Sequence, residues 1–137
     1  MTYLLDTNAC IALINGAPSR VRARFEKASA AGEQIWISSI VAFELRYGMA
    51  KSTRVEANPA RVETLFAGPL HSLAFEEEDG RVAGSLRATM EGVGGPIGAY
   101  DLLIAGQALR HRITLVTANV REFSRVKGLS WEDWGRS

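Results

Sequence analysis

Residues 3–14 read Tyr3-Leu4-Leu5-Asp6-Thr7-Asn8-Ala9-Cys10-Ile11-Ala12-Leu13-Ile14. An apolar run stopped by an acid predicts a short buried strand ending at Asp6. Thr7 and Asn8 suit the cap of a helix that runs to about Ile14. Asn15-Gly16-Ala17-Pro18 then breaks the chain. Strand, acid, helix and turn in that order form one unit of a parallel sheet covered by helices.

The unit recurs downstream. Val21–Ala31 predicts a helix with Arg20, Arg22, Arg24 and Lys27 on or beside it, closed by Gly32. Ile35-Trp36-Ile37 predicts a strand, and Ser38-Ser39 caps a helix from Ile40 to about Lys51. A helical stretch from Pro59 to Ala67 ends at Gly68-Pro69, and Leu70–Phe75 alternates as a third strand. Glu76-Glu77-Glu78-Asp79 opens a helix to about Glu91, its acids favouring the positive end of the helix dipole. That run reads as a solvated helix start rather than a metal site. After a glycine-rich loop at 92–98, a helix runs from Ala99 to Arg112, and Ile113–Thr117 is the clearest strand. Leu129–Trp134 predicts one short edge strand.

A chain of 137 residues suits one domain spanning 1–137. Hydrophobic residues make up 47%, which excludes a disordered tail. Lys and Arg number 16 against 15 Asp and Glu, a net charge of +1. Nucleic-acid binding would therefore rest on local patches and not on a global field. Cys10 is the single cysteine. Internal disulfides and thiolate zinc sites are excluded, and Cys10 reads as a buried small hydrophobe. No apolar run approaches the ~18 residues of a membrane helix, and the start carries no basic, cleavable leader. The expectation is a soluble, cytoplasmic protein.

Three carboxylates stand in telling places. Open parallel sheets bind ligands beyond the carboxyl ends of their strands, where Asp6 falls, although Asp6 can equally serve as a helix start. Glu44 has Ile40, Val41, Tyr47 and Gly48 as its helical neighbours. An acid on an apolar face needs a basic partner or a metal. Asp101 lies in the first turn of a helix that continues Leu102-Leu103-Ile104-Ala105, behind the glycine-rich loop. An acid there is ordinary by itself. If the three converge they repel one another unless a cation intervenes, and an all-oxygen set suits Mg²⁺ or Mn²⁺ rather than Zn²⁺.

Four segments resemble the motifs of PIN-domain ribonucleases, in the family's order. They are Leu4-Leu5-Asp6-Thr7-Asn8, Ser38–Gly48 around Glu44, Pro96–Ala105 around Asp101, and Val116-Thr117-Ala118-Asn119-Val120-Arg121-Glu122-Phe123. The ending Val126-Lys127-Gly128-Leu129 with Glu132-Asp133-Trp134 is similar to that of VapC toxins within the family. The resemblance implies an α/β PIN-like fold, a mostly parallel five-stranded sheet flanked by helices on both faces. It implies a Mg²⁺-dependent endoribonuclease, with Mn²⁺ able to substitute, that hydrolyses RNA with metal-activated water. Asp6, Asp101 and Glu44 are then catalytic metal ligands. It further implies inhibition by a VapB-type antitoxin, a homodimer, and initiator tRNA as substrate.

The fourth motif departs from the family pattern, because Asn119 stands where many PIN domains carry an aspartate. An amide oxygen ligates weakly and brings no charge. Thr117 is either a hydrogen-bond donor in the same pocket or a plain strand-end residue. Arg46 is a candidate phosphate contact. Arg121, Arg125 and Lys127, with the basic residues from Arg20 to Lys27, line an RNA path or are solvated charge. His71 and His111 read as surface residues, Trp36 as core, and Trp131 and Trp134 as pins for the tail. Two other functions fit less well. A silent binding module has no need of three acids, and an aspartyl-phosphate enzyme would want an acid where Asn8 stands.

Overall fold

The computed structural model of the chain describes residues 1–51 and 59–136. In chain order the elements are β1 Thr2–Leu5, α1 Thr7–Asn15, α2 Ser19–Ala30, β2 Gln34–Ser38, α3 Ser39–Lys51 and α4 Pro59–Phe66. There follow β3 His71–Leu73, α5 Glu77–Gly92, α6 Ala99–His111, β4 Thr114–Val116, α7 Val120–Phe123 and β5 Trp131–Glu132. The strands form one sheet in the order β3-β2-β1-β4-β5, and every pairing is parallel.

The apolar run of β1 places it at the centre. Tyr3, Leu4 and Leu5 are all buried. Burial of consecutive residues, whose side chains alternate between faces, requires both faces to be covered. Leu5 lies in register with Ile37 of β2 and Val116 of β4. All three strands therefore stop at one edge, and the residues that follow them meet there. Cys10 is fully buried, as a small hydrophobe should be.

The tail is pinned from its aromatic residues. Trp134 is buried and meets Tyr3 edge to face, ring centroids 5.1 Å apart. The Arg24 guanidinium sits over both rings. His71 is exposed on its edge strand, and its ring lies against a half-buried Trp36.

Four expectations change. The cap of α1 is Asp6, whose carboxylate accepts from the Ala9 N–H; Thr7 and Asn8 already lie inside the helix. The third strand covers only His71–Leu73, because Leu70 N–H turns back to Gly68 O and Phe75 N–H donates to Ser39 Oγ. The short helix α7 has too few residues for a helical period to show. The start of α5 is not wholly solvated: Asp79 is fully buried. It accepts from Glu76 N–H at 2.7 Å and from Arg110 Nε at 2.6 Å, with His111 Nε2 at 3.4 Å. A buried charge of this kind is tolerated because it is paired and hydrogen-bonded.

Helices α5 and α6 pack at very short range. A Cβ on Gly106 would lie 2.7 Å from Ala83 Cβ and 2.8 Å from its Cα. Neither partner can rotate away, so glycine is needed for space. Gly106→Ala is expected to destabilise the fold by about 2–3 kcal/mol through overpacking. Urea unfolding should show this as a lower midpoint with an unchanged slope.

Candidate active site

Asp6 is held by backbone on both sides. Its N–H donates to Val116 O at 3.1 Å, and its Oδ1 accepts from Ala9 N–H at 2.8 Å. A hydrogen bond from Thr117 also reaches the carboxylate. The Thr117 hydroxyl accepts from Asn119 N–H at 2.9 Å, which orients its own proton toward Asp6. Asp6 is only 2% exposed. Burial raises its pKa to about 6, the Thr117 and Ala9 bonds act the other way, and the charge of Glu44 raises it further.

Glu44 on α3 reaches back to the start of α1. Thr7 Oγ donates to Glu44 Oε1 at 2.8 Å. Thr7 thus fixes an acid instead of capping a helix. The salt bridge considered for Glu44 is not among its described contacts. Its helical neighbour Arg46 pairs with Glu63 at 2.8 Å and lies over the Phe66 ring. In this arrangement Arg46 is engaged with α4 and not with the acids.

Asp101, in the first turn of α6, has its pKa raised to about 7. Burial is the main cause, followed by a hydrogen bond and like charge from Glu122, then by the charges of Asp6 and Glu44. Glu122, on α7, was quoted in the fourth motif but given no role. It accepts from Gly98 N–H at 2.6 Å and from Asn119 Nδ2. Burial pushes the Glu122 pKa up, but the bonds from Gly98, Asp101 and Asn119, with Arg125 nearby, outweigh it and the net shift is downward. Glu122 is thus held toward its ionised form and Asp101 toward its protonated form. Asn119 therefore braces Glu122 with its amide N–H₂. The missing aspartate at 119 has a neighbouring acid three residues on, one helical turn that the sequence pattern did not reveal.

Asp6, Glu44 and Asp101 are near enough that the charge of Glu44 acts on Asp6 and the charges of Asp6 and Glu44 act on Asp101. None of the principal influences on Asp6 or Asp101 is a cation. An acidic, all-oxygen pocket in which no cation is a principal influence on Asp6 or Asp101 fits a hard divalent ion. Asp6, Asp101, Glu44 and Glu122 are the residues that could hold it. Among the described residues, Glu76, Asp79 and His111 are the group with ligand atoms all within 4.8 Å of one another. That group is already answered by Arg110.

The chain matches the PIN domain family model over residues 3–129. It belongs to the PIN-domain family. Within it, the relatives are of the VapC branch. The tRNA(fMet)-specific endonuclease VapC of Salmonella typhimurium is 39% identical over 98% of both chains. Ribonuclease VapC2 of Rickettsia felis is 39% identical over 99% of this chain and all of the relative. Among solved structures, VapBC2 from Rickettsia felis bound to a DNA fragment from its promoter superposes with a TM-score of 0.86. It is 38% identical, covering 96% of this PIN domain and 98% of that chain. DNA-bound VapBC from Salmonella typhimurium gives the same TM-score at 39% identity over 98% of each chain.

The raised acids make a stability prediction. Asp6 and Asp101 ionise in the unfolded chain near 3.8 but in this PIN domain near 6 and 7. The folded form therefore binds more protons between those values, and their contribution to stability is lost as pH rises through 6 and 7. In EDTA, Asp101→Asn should melt at or above the wild type at pH 8, because an amide can donate to Glu122 without charge. The two melting temperatures should draw together at pH 5. Mg²⁺ or Mn²⁺ should raise the wild-type melting temperature and leave the variant nearly unmoved.

Proposed function

We propose that the chain is the toxin of a type II toxin–antitoxin pair, an endoribonuclease that hydrolyses RNA phosphodiesters with Mg²⁺. The observation that carries this reading is the set Asp6, Asp101 and Glu44, in which the charge of Glu44 raises the pKa of Asp6 and the charges of both raise that of Asp101, on a fold whose relatives are named ribonucleases or endonucleases. Water as the nucleophile leaves a 5′-phosphate and a 3′-hydroxyl. Initiator tRNA is the substrate we infer, from likeness to relatives named for tRNA(fMet) over nearly their whole length.

Asp6 and Asp101 would be the principal metal ligands, with Glu44 binding directly or through water and Glu122 completing the ring. Bound Mg²⁺ would offset the acids' charge and supply the Lewis acidity that phosphodiester hydrolysis needs. The chain's own contribution is placement. The Thr117 hydroxyl and Ala9 N–H hold Asp6, Thr7 holds Glu44, and Gly98 N–H with Asn119 holds Glu122. Thr117 and Asn119 thus act on the acids rather than on RNA.

The inhibitor is a VapB-type antitoxin. A cavity of about 410 Å³ lies between α1, α2 and α4, walled by Leu13, Ile14, Phe25 and Leu65, with Arg22 and Arg61 at its polar side. Such a wall suits the apolar side chains of a partner's segment. A basic residue from the same partner would neutralise the acids by paired hydrogen bonds.

The test is cleavage of an RNA panel that includes initiator tRNA, with mapped ends. Mg²⁺ or Mn²⁺ should be required, the products should carry 5′-phosphates, and Asp101→Asn should lose activity on the order of 10²–10³-fold. Ends bearing 2′,3′-cyclic phosphate, or full activity in EDTA, would contradict the reading.

A further inference from the structure

Phe43, Tyr47 and Tyr100 are half exposed, at 50%, 55% and 47%. They touch one another. Phe43 stacks on Tyr47 with centroids 6.4 Å apart, and Tyr100 meets Phe43 edge to face at 5.7 Å. Lys51 Nζ lies 5.5 Å from the centre of the Tyr47 ring. Positions 43, 47 and 51 recur every four residues, so they form one stripe along α3. The core-facing side of that helix is taken by Val41 and Leu45. Packing inside the domain therefore gives no reason for the rings.

Their place relative to the acids is specific. Phe43 directly precedes Glu44, and Tyr100 directly precedes Asp101. The ring contact between Phe43 and Tyr100 thus joins the two helices that carry those acids. The stripe leaves the acid site as ring, ring, ring and then cation.

We propose that Tyr100, Phe43 and Tyr47 form a stacking track for unpaired bases of the RNA strand beside the cleaved phosphate, with Lys51 meeting a backbone phosphate at its far end. The proposal rests on the RNA-cleaving reading above. An RNA-binding surface usually draws its affinity from basic charge. This chain has a net charge of +1 and concentrates acids where the phosphate must sit. Stacking on aromatic faces is independent of charge and tolerates any base. Sequence-specific RNA proteins engage loops and single strands in this way. Continuity with the acids, the exposed π-faces and the terminal cation together favour RNA as the occupant over a second protein.

The test uses the full chain in EDTA with single-stranded RNA carrying 2-aminopurine, and separately follows cleavage in Mg²⁺. Wild type should quench the 2-aminopurine on binding. Phe43→Ala and Tyr100→Ala should each abolish the quench and raise Kd and KM about tenfold, with kcat little changed. Tyr100→Phe and Phe43→Tyr should restore wild-type behaviour. Melting temperature and oligomeric state should be the same throughout. Alanine variants that bind and cleave as wild type overturn the proposal. So do variants that change the oligomeric state while RNA affinity stays the same, which would make the stripe a protein contact. If wild type quenches and binds but never cleaves, the nuclease reading fails and the track stands.

Discussion

The backbone N–H of Asp6 is bonded to Val116 O, and its carboxylate is bonded to Ala9 N–H. One residue thus ends the central strand, caps the first helix and presents an acid at the edge of the sheet. The other acids are arranged around this fixed point. Thr117 follows β4, which pairs with β1, and Glu44 follows β2, which pairs with β1 on the other side. Displacing Asp6 would disturb the sheet, the helix and the site together. Its raised pKa is the cost of that position, and the Thr117 and Ala9 bonds limit it.

The site is built so that hydrogen bonds meant for structure also select the charge state of the acids. Asp101 and Glu122 are hydrogen-bonded neighbours, and the bonds from Gly98 N–H and Asn119 favour the charged form of Glu122. Thr7 Oγ fixes the position of Glu44 through its bond to Oε1. These are short polar side chains at element ends, where the backbone already holds them. Acids held in this way would need little rearrangement to take a cation, and such preorganisation is what electrostatic catalysis requires.

Much of this was legible in the sequence. The strand Tyr3–Leu5 showed itself by its unbroken apolar run, and the parallel sheet by strands alternating with helices. Asp6 and Asp101 stand out in the sequence because strand ends and helix starts behind glycine-rich loops have known geometry, and Glu44 because it is an acid among apolar neighbours; the structure places all three within reach of one another's charge. Other features were hidden for physical reasons. Asp79 looked like one more acid in an exposed run, since its partners Arg110 and His111 lie on another helix. Glu122 sat in a helix too short to show a period, and its role depends on Gly98 from a distant loop. Arg46 was adjacent to an acid in sequence, but a helix turns successive residues to different sides. Its partner came from α4. Local pattern fixes which residues reach an edge; long-range partners decide what they do there.

The strand order has a consequence for when the surroundings of Asp6 are complete. β1 precedes β2 and β4 in the chain but lies between them, and about 110 residues separate it from β4. Asp6 gains its Val116 bond, its Thr117 hydroxyl and its neighbour Asp101 only when that late segment has left the ribosome. Chains fold progressively as they emerge, and pairings between distant segments come last. A truncated or stalled chain holds Asp6 and Glu44 but no assembled acid ring. The connectivity of the sheet therefore acts as a delay: the surroundings of Asp6 are completed by a strand far along the chain, after everything between them has been made.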